Sequence, residues 1–276
     1  MKQSRSVNFV SHIVLVIYAL LVIYPLFFVI SSSFKNNSEI FDDPWGMPMS
    51  FSFDNYIEAM SNSHIDSYFI NSLYISTIST FATILLSTTI AYAVTRMKFH
   101  TLSKGVYSLL LLSLLIPPAS LLIPLYKMIN DFGIYDTPLA LIIPYSAFGI
   151  PLTVFVIAAF LKSIPLELEE AGVMDGLNTY GLLFRIVIPL TLPTLVTVFI
   201  LNFIGNWNEF VMANLFISNE ASRTLPVAVK SFVDQYNMNY GALTAAITIS
   251  IIPVILIYSF LQKKIIEGVT AGSVKG

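Results

Sequence analysis

The chain has 276 residues, 56% of them hydrophobic and only 11% charged, with a formal net charge of −2 and a mean hydropathy of +0.78. Soluble domains carry about 25% charged residues, so these values exclude an ordinary soluble enzyme, a disordered chain and a basic nucleic-acid binder, and they make lipid the main solvent. The lack of cysteine removes disulfides, thiolate metal sites and a cysteine nucleophile, and His12, His64 and His100 lie too far apart for metal-ligand spacing.

Lys2 and Arg5 precede an uncharged apolar run of 18 residues, Ile13 to Ile30. A secretory leader has an apolar stretch of about 7–15 residues before a small-residue cleavage site. This run is longer, and Ile30-Ser-Ser-Ser-Phe-Lys35 is a poor cleavage site, so a retained spanning helix is expected at 12–33. Five more segments approach the roughly 20 residues that a bilayer requires: 70–94, 105–128, 138–160, 189–212 and 243–262. A barrel would instead show short alternating runs. The expected fold is all-α: one polytopic domain over 1–276 with six transmembrane helices.

Several of these spans are more than lipid anchors. The second is rich in hydroxyls, from Ser72 and Ser76 through Thr83 to Ser87 and Thr89. They suit close helix packing or a polar wall along a solute path. Pro117, Pro118 and Pro124 fall in the third span, Pro144 and Pro151 in the fourth and Pro253 in the sixth, each removing a backbone donor and kinking its helix. Asn202, Asn206, Asn208 and Glu209 crowd the second half of the fifth.

Basic residues set the orientation. Ten of the 14 fall on one side: Lys2, Arg5, Arg96, Lys98, Lys104, Lys162, Arg185, Lys263, Lys264 and Lys275. Four fall on the other: Lys35, Lys127, Arg223 and Lys230. The richer side, with both termini, is assigned to the cytoplasm.

A cytoplasmic loop at about 163–189 carries the strongest pattern. Pro165 suits a helix's first turn, and Glu167, Glu169 and Glu170 suit its positive end. Leu166, Val173 and Leu177 would share a face if the helix continued. Gly176 permits a turn between two short helices. Asp175 has a side chain able to cap the second of them. On pattern alone this is an amphipathic loop helix.

The run Glu170-Ala171-Gly172, then Gly176, then nine residues and Ile186-Val-Ile188-Pro189 resembles the EAA loop of ABC importer permeases, E-A-A-x-x-x-G, nine residues, I-x-L-P. Gly172 and Ile188 depart from that form. Ile164-Pro-Leu-Glu-Leu-Glu with Asp175-Gly176 is similar to permeases of maltose-type sugar importers. So are Trp207-Asn208-Glu209-Phe210, Thr224-Leu-Pro-Val227 and the tail Gly268-Val-Thr-Ala-Gly-Ser-Val-Lys-Gly276. The likeness runs from about residue 65 to the end and matches the shorter permease of a pair.

The resemblance implies a multi-pass subunit of the bacterial cytoplasmic membrane. Its partners would be a second, different permease, two ATPase subunits and an external solute-binding protein. Glu170, Ala171, Gly172, Asp175 and Gly176 would form the ATPase-coupling helix, which passes closure of the ATPase dimer to the spans in alternating access. ATP and Mg would bind the ATPase. The residues agree independently, because no Gly-Lys dipeptide exists and a phosphate-binding loop is therefore missing. No nucleophile–base pair stands out either, so the chain is read as no enzyme and without a cofactor of its own.

Asn202, Asn206, Trp207, Asn208 and Glu209 are candidates for a solute path or gate. Amides and an indole face suit sugar hydroxyls and C–H faces, but they also suit helix packing. Glu209 is either a path residue or an interfacial carboxylate. An ion-coupled secondary carrier is the alternative. It would need ionisable groups near the membrane midplane, and Glu209 alone comes close.

Overall fold

The computed structural model describes residues 5–61, 64–97, 99–232 and 239–273. Lys2, Lys98, Lys275 and the last three residues of the tail signature lie outside them. The described residues are helical and contain no strand. The α-helices are α1 (Arg5–Ser32), α2 (Asn37–Asp42), α3 (Asp54–Ser61), α4 (Ile65–Arg96), α5 (His100–Ser113), α6 (Leu122–Asp131), α7 (Leu139–Leu161), α8 (Glu167–Met174), α9 (Thr179–Leu182), α10 (Ile188–Trp207), α11 (Val211–Phe216), α12 (Leu225–Ser231) and α13 (Tyr240–Ser273). A 3₁₀ turn, Pro118–Leu121, precedes α6, and a π-helical stretch, Leu183–Val187, leads into α10.

Among the described residues, five helical stretches are long and apolar enough to cross a bilayer: Val10–Ser32, Ile65–Arg96, Leu139–Leu161, Thr179–Trp207 and Tyr240–Gln262. The third expected span is not one straight helix. Thr101–Ser113 and Pro118–Asp131 meet at 95°. The Pro117-Pro118 pair explains the break. Neither ring can donate to the preceding turn, and a proline disfavours helical backbone in the residue before it. Pro117 is accordingly extended (φ −66°, ψ 129°), and the chain tightens to i−3 hydrogen bonds from Leu114 to Ile116. The fifth expected span also ends early, at Trp207, and a separate short helix, α11, follows Glu209.

The chain forms two compact units. One comprises residues 1–67 and 228–252, the other 68–227 and 253–276. In the first, Lys35 is buried and its Nζ donates to the Asp43 carbonyl at 2.8 Å. Asn55 Nδ2 donates to the carbonyls of Ser33 and Lys35, and Asn239 Nδ2 donates to Glu58 Oε2 at 2.7 Å. Lys35 and Asn55 thus satisfy backbone carbonyls on either side of α2, where no ladder does so. Trp45 stacks on Tyr24 of α1 at 4.1 Å.

In the second unit, α4, α7 and α10 pack together. Their common point is Gly149. A Cβ there would stand 2.3 Å from Asn202 Oδ1 and 2.8 Å from Thr83 Cγ2, so any side chain at this position would push Asn202 and Thr83 aside. Two apolar clusters flank it. One holds Ile75, Leu141, Ala213 and Phe216, and the other holds Ala91, Val154, Leu161 and Val187.

Candidate functional site

The EAA-like loop folds as a helix, a turn and a second helix. The end of α8 is closed by two hydrogen bonds of reversed order: Leu177 N–H to the Gly172 carbonyl and Gly176 N–H to the Val173 carbonyl, both 2.9 Å. That closure requires a left-handed residue, and Gly176 supplies it at φ +82°. Asp175 does not cap the second helix. Asn178 does, its Oδ1 accepting from Gly181 N–H at 2.9 Å, while Asp175 ends α8 with its own N–H on the Ala171 carbonyl. The expected shared face of Leu166, Val173 and Leu177 does not form, because α8 stops at Met174.

Gly172, which departs from the usual alanine, packs tightly. A Cβ there would lie 2.5 Å from Ile186 Cδ1 and 2.8 Å from Leu182 Cδ2. Its absence lets α8 seat against α9 and the π-helical stretch. The opposite face of the loop is open. Glu167, Glu170, Ala171 and Asp175 are exposed, as are Leu166, Val173, Met174 (87%) and Tyr180 (76%). On this face the acids therefore stand beside uncovered large apolar side chains.

Glu169 differs from its neighbours, for it turns inward and is buried. Its Oε1 stands 2.9 Å from Arg96 Nε, an ion pair without full hydrogen-bond alignment. Its Oε2 accepts from Tyr92 Oη at 3.1 Å. Arg96 also donates through Nη2 to the Leu161 and Ile164 carbonyls, at 2.7 and 2.8 Å. Two residues of α4, the end of α7 and the first turn of α8 therefore meet in one polar knot. Sequence reasoning missed it. The available signal was an arginine at the last turn of a span facing a loop with three clustered acids.

A second site lies among α7, α10 and α11, a cavity of about 240 Å³ whose lining includes Tyr145, Gly149, Asn202, Gly205, Asn206 and Glu209. Asn202 donates to Thr153 Oγ1 at 2.9 Å and to the Val198 carbonyl at 2.8 Å. Asn206 donates to Thr80 Oγ1 at 3.3 Å. Glu209 accepts from Tyr145 Oη at 2.7 Å and from the N–H groups of Met212 (2.8 Å) and Ala213 (3.1 Å), so it also caps α11. Two of the five candidates do not line this cavity. Trp207 is buried, stacked on Phe203 and edge-on to Phe69. Asn208 is exposed and bonds its own helix at the Ile204 carbonyl.

Residues 83–270 match the model of the binding-protein-dependent transport system inner membrane component. The chain belongs to that family. It is 39% identical over 263 residues, 95% of its length and 87% of the relative's, to a probable ABC transporter permease, YurM of Bacillus subtilis (strain 168). It is 36% identical over 262 residues, 94% of its length and 93% of the relative's, to the trehalose transport system permease SugB of Mycobacterium tuberculosis (strain CDC 1551 / Oshkosh). In fold it resembles a chain of a bacterial ABC transporter that imports the acidic polysaccharide alginate, with a TM-score of 0.84 and 22% identity over 95% of this chain and 99% of that one. The protein is thus an ABC importer permease subunit of a multi-pass kind set in the inner membrane, and not itself an enzyme. Its family works with an ATPase and a solute-binding protein. Membership decides against the ion-coupled carrier.

Proposed function

We propose that this chain is one of two different permease subunits in an importer for mono- or oligosaccharides, driven by a pair of ATPase subunits that hold ATP and Mg. Its termini lie in the cytoplasm with the α8 loop. Glu170, Ala171, Gly172, Asp175 and Gly176 form the coupling helix. The cavity lined by Asn202, Asn206 and Glu209 lies on the solute path, and Trp207 and Asn208, which do not line it, stand outside that path. The single permease domain acts as one of the two halves of the translocation pathway.

The observation that carries this reading is the α8 loop. A short acidic helix, ended by a glycine at φ +82°, presents uncovered Val173, Met174 and Tyr180. Such a knob fits a cleft on another protein. The trehalose permease among its relatives and the amide and phenol groups of the cavity support a sugar as cargo.

The test is uptake of labelled sugars into proteoliposomes holding this chain with its co-purified partners. Uptake that needs ATP and the binding protein, and that falls in an assembled Gly176→Pro complex, is expected. Uptake driven by an ion gradient, without ATP and indifferent to that variant, would overturn the reading. Competing unlabelled sugars then define the substrate class.

A further inference from the structure

We infer that Arg96 is a positioning residue that ties the coupling helix to α4 through Glu169, so that α8 cannot move without moving α4. The inference rests on the coupling role proposed for α8.

The argument starts from cost. Burying one carboxylate and one guanidinium is unfavourable unless each is paired and hydrogen-bonded, and such a pair is weak evidence for added stability. Apolar side chains of similar volume would hold α8 in place as well. Glu167 and Glu170, on either side of Glu169, remain exposed, so burial of Glu169 is not a general property of this turn. The knot differs from apolar contact in joining charge attraction with directional hydrogen bonds, from Tyr92 Oη to Glu169 and from Arg96 Nη2 to two carbonyls. It resists sliding and separation where a greasy contact would re-pack.

The partners of the knot are also distributed to suit a tie. α8 reaches α9 and the π-helical stretch, its neighbours in sequence, through Gly172. It reaches α4, 73 positions earlier, through Glu169 and Arg96. Arg96 is clamped in turn by the Leu161 carbonyl that ends α7 and the Ile164 carbonyl just beyond it. From Arg96, α4 runs back as a continuous helix for 16 residues to Thr80, about 24 Å at 1.5 Å per residue. There Thr80 accepts from Asn206 on the wall of the cavity, and Thr83 meets Gly149. A rigid helix with one end pinned to the coupling helix and its middle against the helices that line the cavity is a lever between the two.

The experiment reads sugar taken up per ATP hydrolysed in assembled, reconstituted complexes. Four variants are used: Glu169→Gln, Arg96→Gln, the double Arg96→Gln/Glu169→Gln, and Tyr92→Phe. The double variant leaves no lone buried charge, so it keeps the test open if a single variant fails to assemble. The ratio is expected to fall at least about fivefold in each variant that lacks the ion pair, the lower range of coupling between distant sites. Tyr92→Phe, which keeps the pair, should fall by less. A merely structural pair would lower the yield or melting temperature of the complex and leave the ratio in assembled complexes unchanged. An unchanged ratio in the double variant overturns the inference. Gly176→Pro in parallel separates the two levels. If it uncouples while the double variant does not, the coupling role of α8 stands and the tie through Arg96 falls. If wild-type uptake does not require ATP, both fall.

Discussion

Gly176 offers a controlled perturbation, because the structure contains its twin. Gly133 follows α6 at φ +67°, with the same two closing bonds: Ile134 N–H to the Ile129 carbonyl and Gly133 N–H to the Asn130 carbonyl. Neither glycine has a heavy atom within 4 Å of where a Cβ would stand. Alanine at either site therefore meets no clash and suffers only the backbone penalty, about 1–2 kcal/mol for an L-residue in the left-handed region. At 1.4 kcal/mol per decade, that lowers the population of the closed turn about five- to thirtyfold. Asparagine should cost less than alanine and valine more. Thermal unfolding of the assembled complex should fall by similar amounts for Gly133→Ala and Gly176→Ala. Uptake per ATP should fall only for Gly176→Ala, in the order asparagine, alanine, valine. If Gly133→Ala uncouples transport equally, the loss reflects general strain and the assignment of α8 is wrong. If neither variant changes stability, the φ argument itself fails.

Further outcomes follow from the same geometry. Glu209→Ala leaves Tyr145 Oη and the N–H groups of Met212 and Ala213 without their acceptor, so it should destabilise by about 2–4 kcal/mol, and Glu209→Gln by less; thermal unfolding in detergent measures both. Gly149→Val would drive a side chain into Asn202 and Thr83, so it should destabilise by an overpacking cost of roughly 1–3 kcal/mol, read as a lower melting temperature of the assembled complex. Asn178→Ala removes the cap of α9 and should cost about 1 kcal/mol, visible as faster amide hydrogen exchange in 179–187. Met174→Asp, at an 87% exposed position, should leave the isolated subunit's stability unchanged and weaken its co-purification with the ATPase.

The spans were legible because hydropathy is summed over many residues, and 18 apolar positions in a row admit few other structures. The turn at Gly176 was legible because only glycine takes that backbone cheaply. What failed depended on direction. Asn202 and Asn206 lie one turn apart on one face of α10, and Glu209 reaches the same cavity from the link between α10 and α11. Trp207 and Asn208 are rotated away from it, and treating 202–209 as one stretch hid that. Glu169 looks like Glu167 and Glu170 in sequence. Its burial depends on Arg96, which the chain brings there through α4 and α7. The 95° bend after α5 was signalled by Pro117-Pro118, but proline marks where a helix stops and not the angle at which it resumes. α2, α3, α11 and α12 are too short to show a period.

The hydroxyls of α4 illustrate how the two readings of a polar helix face are separated. Ser79, Thr83, Thr88, Thr89 and Thr95 each donate to the carbonyl four residues back in their own helix. Thr83 and Ser87 also reach the carbonyls of Ser146 and Ile150 on α7, and Ser146 Oγ returns the contact to the Ser79 carbonyl. Ser76, Ser79, Thr80, Thr83 and Ser87 are all buried. A wall facing a water-filled path would leave such groups exposed, so this face serves packing. Interhelical hydrogen bonds in membranes average only about 0.6 kcal/mol, too little for these contacts to fix the helices by energy alone. Their value is steric. Small hydroxyl side chains bring α4 and α7 so close that a Cβ at Gly149 would displace Thr83 and Asn202. Polarity toward the cavity enters from α7 and α10 instead, through Tyr145, Asn202 and Asn206, and α4 contributes rigidity behind them.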